Sequence, residues 1–321
     1  MNDNTKSPIL FLKPVLKQMV WGGSRLHEDF GYETEADNIG ECWGIAAHPN
    51  GDSSINCEKF HERFSNLTLS ALWKKEPRLF GNYDTTQFPL LIKIIDAKSD
   101  LSIQVHPDDA YAAREENGSL GKMECWYIID CPVDAVLVVG HNAKTKEQLE
   151  EMVQEGKWDE LIRKVPIKKG DFIQIDPGTV HAITAGCLIL ETQQNSDITY
   201  RLYDYGRKAD GKLRELHIKQ SLDVIQVPAK PAEDSVTGTL DLPKNQMNQL
   251  ISCQYYNVYK LVVSGGCSVP NHESFLNMSV LEGNGLVDGI SIRKGDHFII
   301  PANYGEVRIE GELVIIASTA N

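Results

Sequence analysis

Three side chains in this sequence have the chemical types a divalent metal needs and sit where separate strands could bring them together. In residues 101–106 a period of two puts Leu101, Ile103 and Val105 on one face and Ser102, Gln104 and His106 on the other. The apolar face packs, and the other offers a hydroxyl, an amide and an imidazole in a row. Glu124 opens the apolar run ECWYIID, and His181 follows a Gly-Asp…Pro-Gly stretch over 170–178. Two imidazoles and a carboxylate suit a borderline, non-redox ion such as Zn²⁺, one per chain. Gln104 could add a weaker oxygen ligand. Such a set leaves positions open to water or substrate, which is the catalytic type of site. A single histidine is ordinarily a hydrogen-bonded structural residue, and that reading goes to His27, His48, His61, His141, His217, His272 and His297.

Cations and one further carboxylate accompany this set. Lys93 stands mid-strand among apolar neighbours, so its amine either snorkels to water or points into a polar cavity. Lys122 lies just before Glu124, and Arg201 sits in the polar-aromatic run 196–207. Glu191 shares a strand face with Gln193, opposite Leu190 and Thr192, as an acid or base or as an ordinary surface carboxylate.

The elements that must hold these residues are mostly short strands punctuated by Gly, Pro and Asp. Candidates run over 88–95, 101–106, 124–130, 135–140, 171–175, 187–193, 256–263, 296–301 and 311–317. Many short strands between turn signals predict a β-sandwich or barrel. Helices are expected over 108–116, over 67–75, and after Thr145, where Thr-Lys-Glu-Gln reads as a capping box ahead of Leu149, Met152 and Val153. Residues 227–246 concentrate Pro, Asp, Thr and Gly, and divide a long front part from a shorter all-β tail. An internal repeat supports the division. Gly170-Asp171 leads into an apolar strand and a Pro turn, as does Gly295-Asp296, and Glu306 stands where the first copy has His181. Two related β-barrels, only the first armed with histidine, follow from it.

Length and charge bound the partners. The 321 residues carry 32 Lys+Arg against 45 Asp+Glu, a formal charge of −13, which disfavours nucleic acid and anionic membrane as main partners. No apolar run approaches the roughly 20 residues of a membrane span. The first residues lack a basic stretch ahead of a long apolar one, so export is not expected. Seven cysteines with no C-x-x-C pair argue against a disulfide framework and favour a reducing, cytoplasmic setting.

Several separate motifs, in order, resemble type I mannose-6-phosphate isomerase, most closely its short bacterial form. They are Pro89–Asp109, Gly121-Lys122-Met123-Glu124-Cys125-Trp126, Pro177-Gly178-Thr179-Val180-His181-Ala182 and Asp197–Asp204, with Trp21-Gly22-Gly23 and Gly40-Glu41-Cys42-Trp43 nearer the start. The resemblance covers roughly residues 10–210; beyond about 250 it extends only to a degenerate second barrel. It implies a mainly β fold of two double-stranded β-helix (cupin, jelly-roll) barrels with a helical insertion. The catalytic domain would span 1–229, a linker 230–246 and the degenerate cupin 247–321. It further implies zinc held by His106, Glu124 and His181, with Gln104 as optional fourth ligand. Arg201, Glu191 and Lys122 would do the catalytic work on a phosphosugar, mannose 6-phosphate or fructose 6-phosphate, through an enediol. Ser102, Lys93 and Arg207 would bind its phosphate. Position 104 departs from the cupin His-x-His pair. An Fe(II) cupin dioxygenase would fit the metal set but leave Lys93, Lys122 and Arg201 idle. A non-enzymatic sugar-binding double cupin would leave the ligand set unexplained. The sequence carries no signal for oligomeric state.

Overall fold

A computed structural model describes residues 8–56, 64–65, 67–209, 211–238, 242–271 and 274–321. His61, His272, Cys57 and part of the expected linker, 239–241, lie outside them. Three large antiparallel sheets organise the chain. The first has seven strands, in the order Val236–Thr237, Phe172–Ile175, Glu124–Asp130, Leu188–Gln194, Leu90–Asp96, Ile39–Ile45, Val15–Gly23. The second has five: Ile162–Pro166, Val136–His141, His181–Ala182, Ile103–Val105, Tyr200–Tyr203.

Apolar side chains from both sheets, among them Trp126, Ile128, Leu137, Val139, Ile173, Ile183 and Ile189, form one buried core between them. The other face of the five-stranded sheet contributes Ile103, Val105 and Val138 to a second core under the helices Lys146–Gln154, Trp158–Leu161 and Ile218–Val224. Burial on both faces explains why Val136–His141 reads as a near-continuous apolar run.

The third sheet has eight strands. Its main path is Met247–Ser252, Tyr256–Asn271, Gly305–Ala320, Leu276–Val287, His297–Ile300, Leu10–Lys13, Ser54–Ile55. The N-terminal strand is therefore hydrogen-bonded into the C-terminal sheet, with Phe11 opposite Phe298. The mainly β expectation holds, and no sheet among the described residues closes into a barrel. The strands form open sheets that face one another.

Two tail strands are also much longer than expected. Tyr256–Asn271 and Gly305–Ala320 pair over 16 residues each. Gly265 and Gly311 lie inside this continuous ribbon, facing each other with φ of 80° and 124°. A glycine inside a strand marks a bend or close backbone approach as readily as an end.

Local signals held well elsewhere. Thr68, Asp108 and Thr145 each accept a hydrogen bond from the backbone N–H three residues on, starting the helices Leu69–Lys75, Asp109–Glu115 and Lys146–Gln154. Gln148 returns its bond to the N–H of Lys144, one residue before the cap. The internal repeat is real in three dimensions. Gly170 and Gly295 have φ of 89° and 92°, and the Asp171 and Asp296 carboxylates accept from the N–H of Lys168 and Arg293.

The seven- and eight-stranded sheets meet around a buried His297. Its Nδ1 accepts from the Ser279 hydroxyl at 2.8 Å and its Nε2 donates to the Tyr32 hydroxyl at 3.0 Å, which itself donates to Gly295 O. Burial lowers its pKa to about 4, so it stays neutral. A Cβ on Gly44 would lie 2.4 Å from this ring. Gly44→Ala is therefore expected to cost about 1–3 kcal/mol through overpacking, read as a lower thermal midpoint. An unchanged midpoint would show that the ring has room to shift.

Candidate metal centre and its cavity

Strand register brings the chemistry together. Residues directly opposite in antiparallel strands share a face. In the seven-stranded sheet Trp126 faces Glu191, Glu191 faces Lys93, and Lys93 faces Trp43. In the five-stranded sheet His181 faces Gln104, and Gln104 faces Arg201. All seven side chains line one cavity of about 310 Å³, together with Ser102 and Lys122.

At one end sit His106, Glu124 and His181, no more than 1% exposed, their ligand-capable atoms all within 4.8 Å of one another. Glu124 Oε2 lies 3.3 Å from His106 Nε2 and Oε1 lies 3.3 Å from His181 Nε2. Thr179 O, 2.8 Å from His181 Nδ1, accepts that nitrogen's proton and leaves Nε2 with its lone pair toward Glu124. Both nitrogens of His106 and both oxygens of Glu124 are buried without a hydrogen bond. Orphaned buried polar atoms are costly, and a bound cation would satisfy this donor set. Gln104 Nε2 is 3.2 Å from His181 Nε2, so the amide borders the same point.

The protonation states fit ligation. Burial, helped by the Lys122 charge, pushes His106 down to about 3 and His181 below its usual range. Burial alone would raise the Glu124 carboxyl, but Lys122 and the two histidines outweigh it and hold it well below the usual range. Lys122 Nζ stands 3.2 Å from Glu124 Oε2.

Glu191 and Lys93 form a second buried pair at 3.2 Å. Trp126 Nε1 donates to the other Glu191 oxygen at 3.0 Å, and Lys93 Nζ lies 5.2 Å from the centre of the Trp43 ring. Lys93 thus points into the cavity and not to water. Burial disfavours its charge, but Glu191, Glu41 and Glu124 outweigh that and keep it protonated. Burial and the nearby Glu124 charge raise the Glu191 pKa above an ordinary carboxylate's. Its direct counter-ion is Lys93.

Arg201 is half-buried, donates to Glu215 O at 2.9 Å, and keeps Nε unpartnered. Arg207 falls elsewhere. Its guanidinium bonds Asp204 and Asp100 O and packs on Tyr205, away from the cavity wall. Arg214, which sequence reasoning passed over, lines the cavity instead. Its sequence signal is faint, since nothing in Gly-Lys-Leu-Arg separates it from a solvated surface charge.

Comparison with known proteins bears on these residues. The family described as phosphomannose isomerase type I, catalytic domain, matches residues 9–124, and mannose-6-phosphate isomerase, cupin domain, matches 246–320. The chain is 49% identical to mannose-6-phosphate isomerase ManA of Bacillus subtilis, over 96% of this chain and 98% of that protein. It is 43% identical to mannose-6-phosphate isomerase of Streptococcus mutans, over 97% and 98%. The crystal structure of mannose 6-phosphate isomerase from Bacillus subtilis superposes with a TM-score of 0.87 at 40% identity, covering 97% of this chain and 99% of that one. A putative mannosephosphate isomerase from Archaeoglobus fulgidus, at 19% identity and a TM-score of 0.81, shares the fold.

Proposed function

The chain belongs to the type I mannose-6-phosphate isomerase family, and from that premise we propose that it interconverts mannose 6-phosphate and fructose 6-phosphate in the cavity between its two facing sheets. One observation carries the reading: a buried two-histidine, one-carboxylate set with unsatisfied ligand atoms opens on a cavity lined by lysine and arginine. The cationic wall suits a phosphosugar. Neither a dioxygenase nor a binding-only protein requires both features.

His106, Glu124 and His181 would hold the metal, with Gln104 beside them, and we take it to be zinc, one per chain. Bound there, zinc supplies Lewis acidity without redox side reactions. The remaining work belongs to the chain. Glu191 takes the proton from C2 of the open aldose and returns it to C1, and its raised pKa suits a group that must both accept and release it. Lys93 and Trp126 hold its two oxygens in place. Arg201 stabilises the negative charge that builds on the enediolate oxygens, because a guanidinium stays charged at any working pH. Lys122 adds positive charge at the metal end, and Ser102 and Lys93 offer a hydroxyl and an ammonium to the substrate. We assign the metal set to the 1–229 part and a second cupin unit to 247–321, joined through 230–246, although the sheet of the second also takes in Leu10–Lys13 and Ser54–Ile55 of the first. We place the reaction in the cytoplasm; among the described residues no helix is long and apolar enough to cross a membrane.

Chelation should abolish the formation of fructose 6-phosphate, and added zinc should restore it. A folded, zinc-loaded sample without turnover would overturn the reading.

A further inference from the structure

The cavity wall opposite the seven-stranded sheet carries two guanidinium groups, Arg201 and Arg214. Tyr200–Tyr203 continues into a small hairpin, Lys208–Ala209 paired with Lys212–Leu213, which places Arg214 beside Arg201. The hairpin is fixed by its own polar contacts. The backbone N–H of Arg214 donates to Arg207 O at 3.2 Å, and His217 N–H donates to Arg201 O at 2.8 Å. Asp204, 4% exposed, accepts from Arg207 Nε at 3.1 Å and from Arg214 Nη1 at 3.2 Å.

Two guanidinium groups, Arg207 and Arg214, thus gather on the buried Asp204, while Arg201 is held by the backbone carbonyl of Glu215. Another carboxylate on this wall, Asp197, is engaged by Asn50 and His48. Arg201 Nε has no hydrogen-bond partner, and burial together with repulsion from neighbouring guanidinium groups lowers the pKa of both Arg201 and Arg214. The groups differ in what remains free. Arg207 is consumed by Asp204, Asp100 O and Tyr205, while only Arg201 and Arg214 reach the cavity. Arg201 stands in register with Gln104, toward the metal end. Arg214 spends one nitrogen on Asp204 and is held in place by it.

Resting on the isomerase reading above, we propose that Arg214 is a specificity-determining residue that receives the substrate's phosphate, with Asp204 and Arg207 as the positioning pair that aims it. A planar guanidinium pinned on one side matches two phosphate oxygens on the other. The arrangement assigns the recognition of a dianionic group to a residue just after the hairpin, separate from the strands that carry Glu191 and Arg201.

The test uses the zinc-loaded protein and its Arg214→Met and Arg214→Lys variants. Calorimetric titration with inorganic phosphate should show affinity reduced about 30-fold in Arg214→Met, the size of one charge-assisted contact. Its KM for mannose 6-phosphate should rise by a similar factor, exceeding any fall in kcat. Arg214→Lys, which keeps the charge, should recover part of the loss in both measurements. A folded Arg214→Met protein with wild-type phosphate affinity and KM would overturn the proposal. If Arg214→Met does not fold, wild-type affinity and KM in Arg214→Lys would overturn it equally, since a lysine cannot reproduce a bidentate contact. The titration reads phosphate binding without turnover, so a wild-type protein that binds phosphate but does not isomerise would count against the reaction and not against the anchor.

Discussion

His181→Ala should lose most of its metal and, with it, about three orders of magnitude in kcat/KM. The expectation follows from how little else points at that spot. His181 Nε2 is one of the three proposed ligand atoms, its orientation fixed by Thr179 O, and its removal would leave a single imidazole and a carboxylate. Two ligands hold a divalent ion poorly, and Lys122, 3.2 Å from Glu124, would then compete as its counter-charge. Metal analysis after dialysis, set beside the isomerase rate, checks both halves. Stoichiometric zinc retained by the variant would refute the ligand assignment, whatever the rate.

Arg201→Ala should behave in the opposite way: full metal content with kcat lowered by about 10²–10³-fold, or roughly 2.7–4 kcal/mol of transition-state stabilisation. Arg201 lies one position beyond Gln104 in the row that begins at His181, so its charge faces the reacting end and touches no ligand. Half-burial strengthens its field by removing water around it. Arg201→Lys should recover little, because an ammonium lacks the fixed fork anchored on Glu215 O. The contrast with Arg214 is sharp, since loss of that residue should appear chiefly in KM. A near-normal kcat in Arg201→Ala would remove it from the mechanism.

What could be read from the chain depended on how local the signal was. Alternation in 101–106 set Gln104 and His106 on the cavity side because strand faces are fixed by a period of two. Glu124 at the first residue of Glu124–Asp130 was legible for the same reason. The Thr145 cap was legible because a side chain and the backbone N–H that donates to it, three residues on, make a local pair. Closure of the sheets was not, since it depends on which distant edges pair. Nor was the continuous ribbon through Gly265 and Gly311, since the same residue type can end a strand or lie inside it. Arg207 and Arg214 show a further limit. Sequence placed only Arg207 near the right strand, but a long side chain spans several ångströms, and Arg207 and Arg214 share Asp204 while only Arg214 reaches the cavity.

The pairing of Leu10–Lys13 with His297–Ile300 bears on the order in which the molecule is made. A strand synthesised among the first must wait, unpaired along that edge, until one of the last is available. Contacts so distant along the chain are slow to form because loop closure comes before any reward. Meanwhile the apolar Leu10, Phe11 and Leu12 form an open edge suited to pairing with other chains. The same stitch means the C-terminal sheet cannot be cut out at the linker as a finished unit. Its neighbour along His297–Ile300 would stay behind with the other fragment.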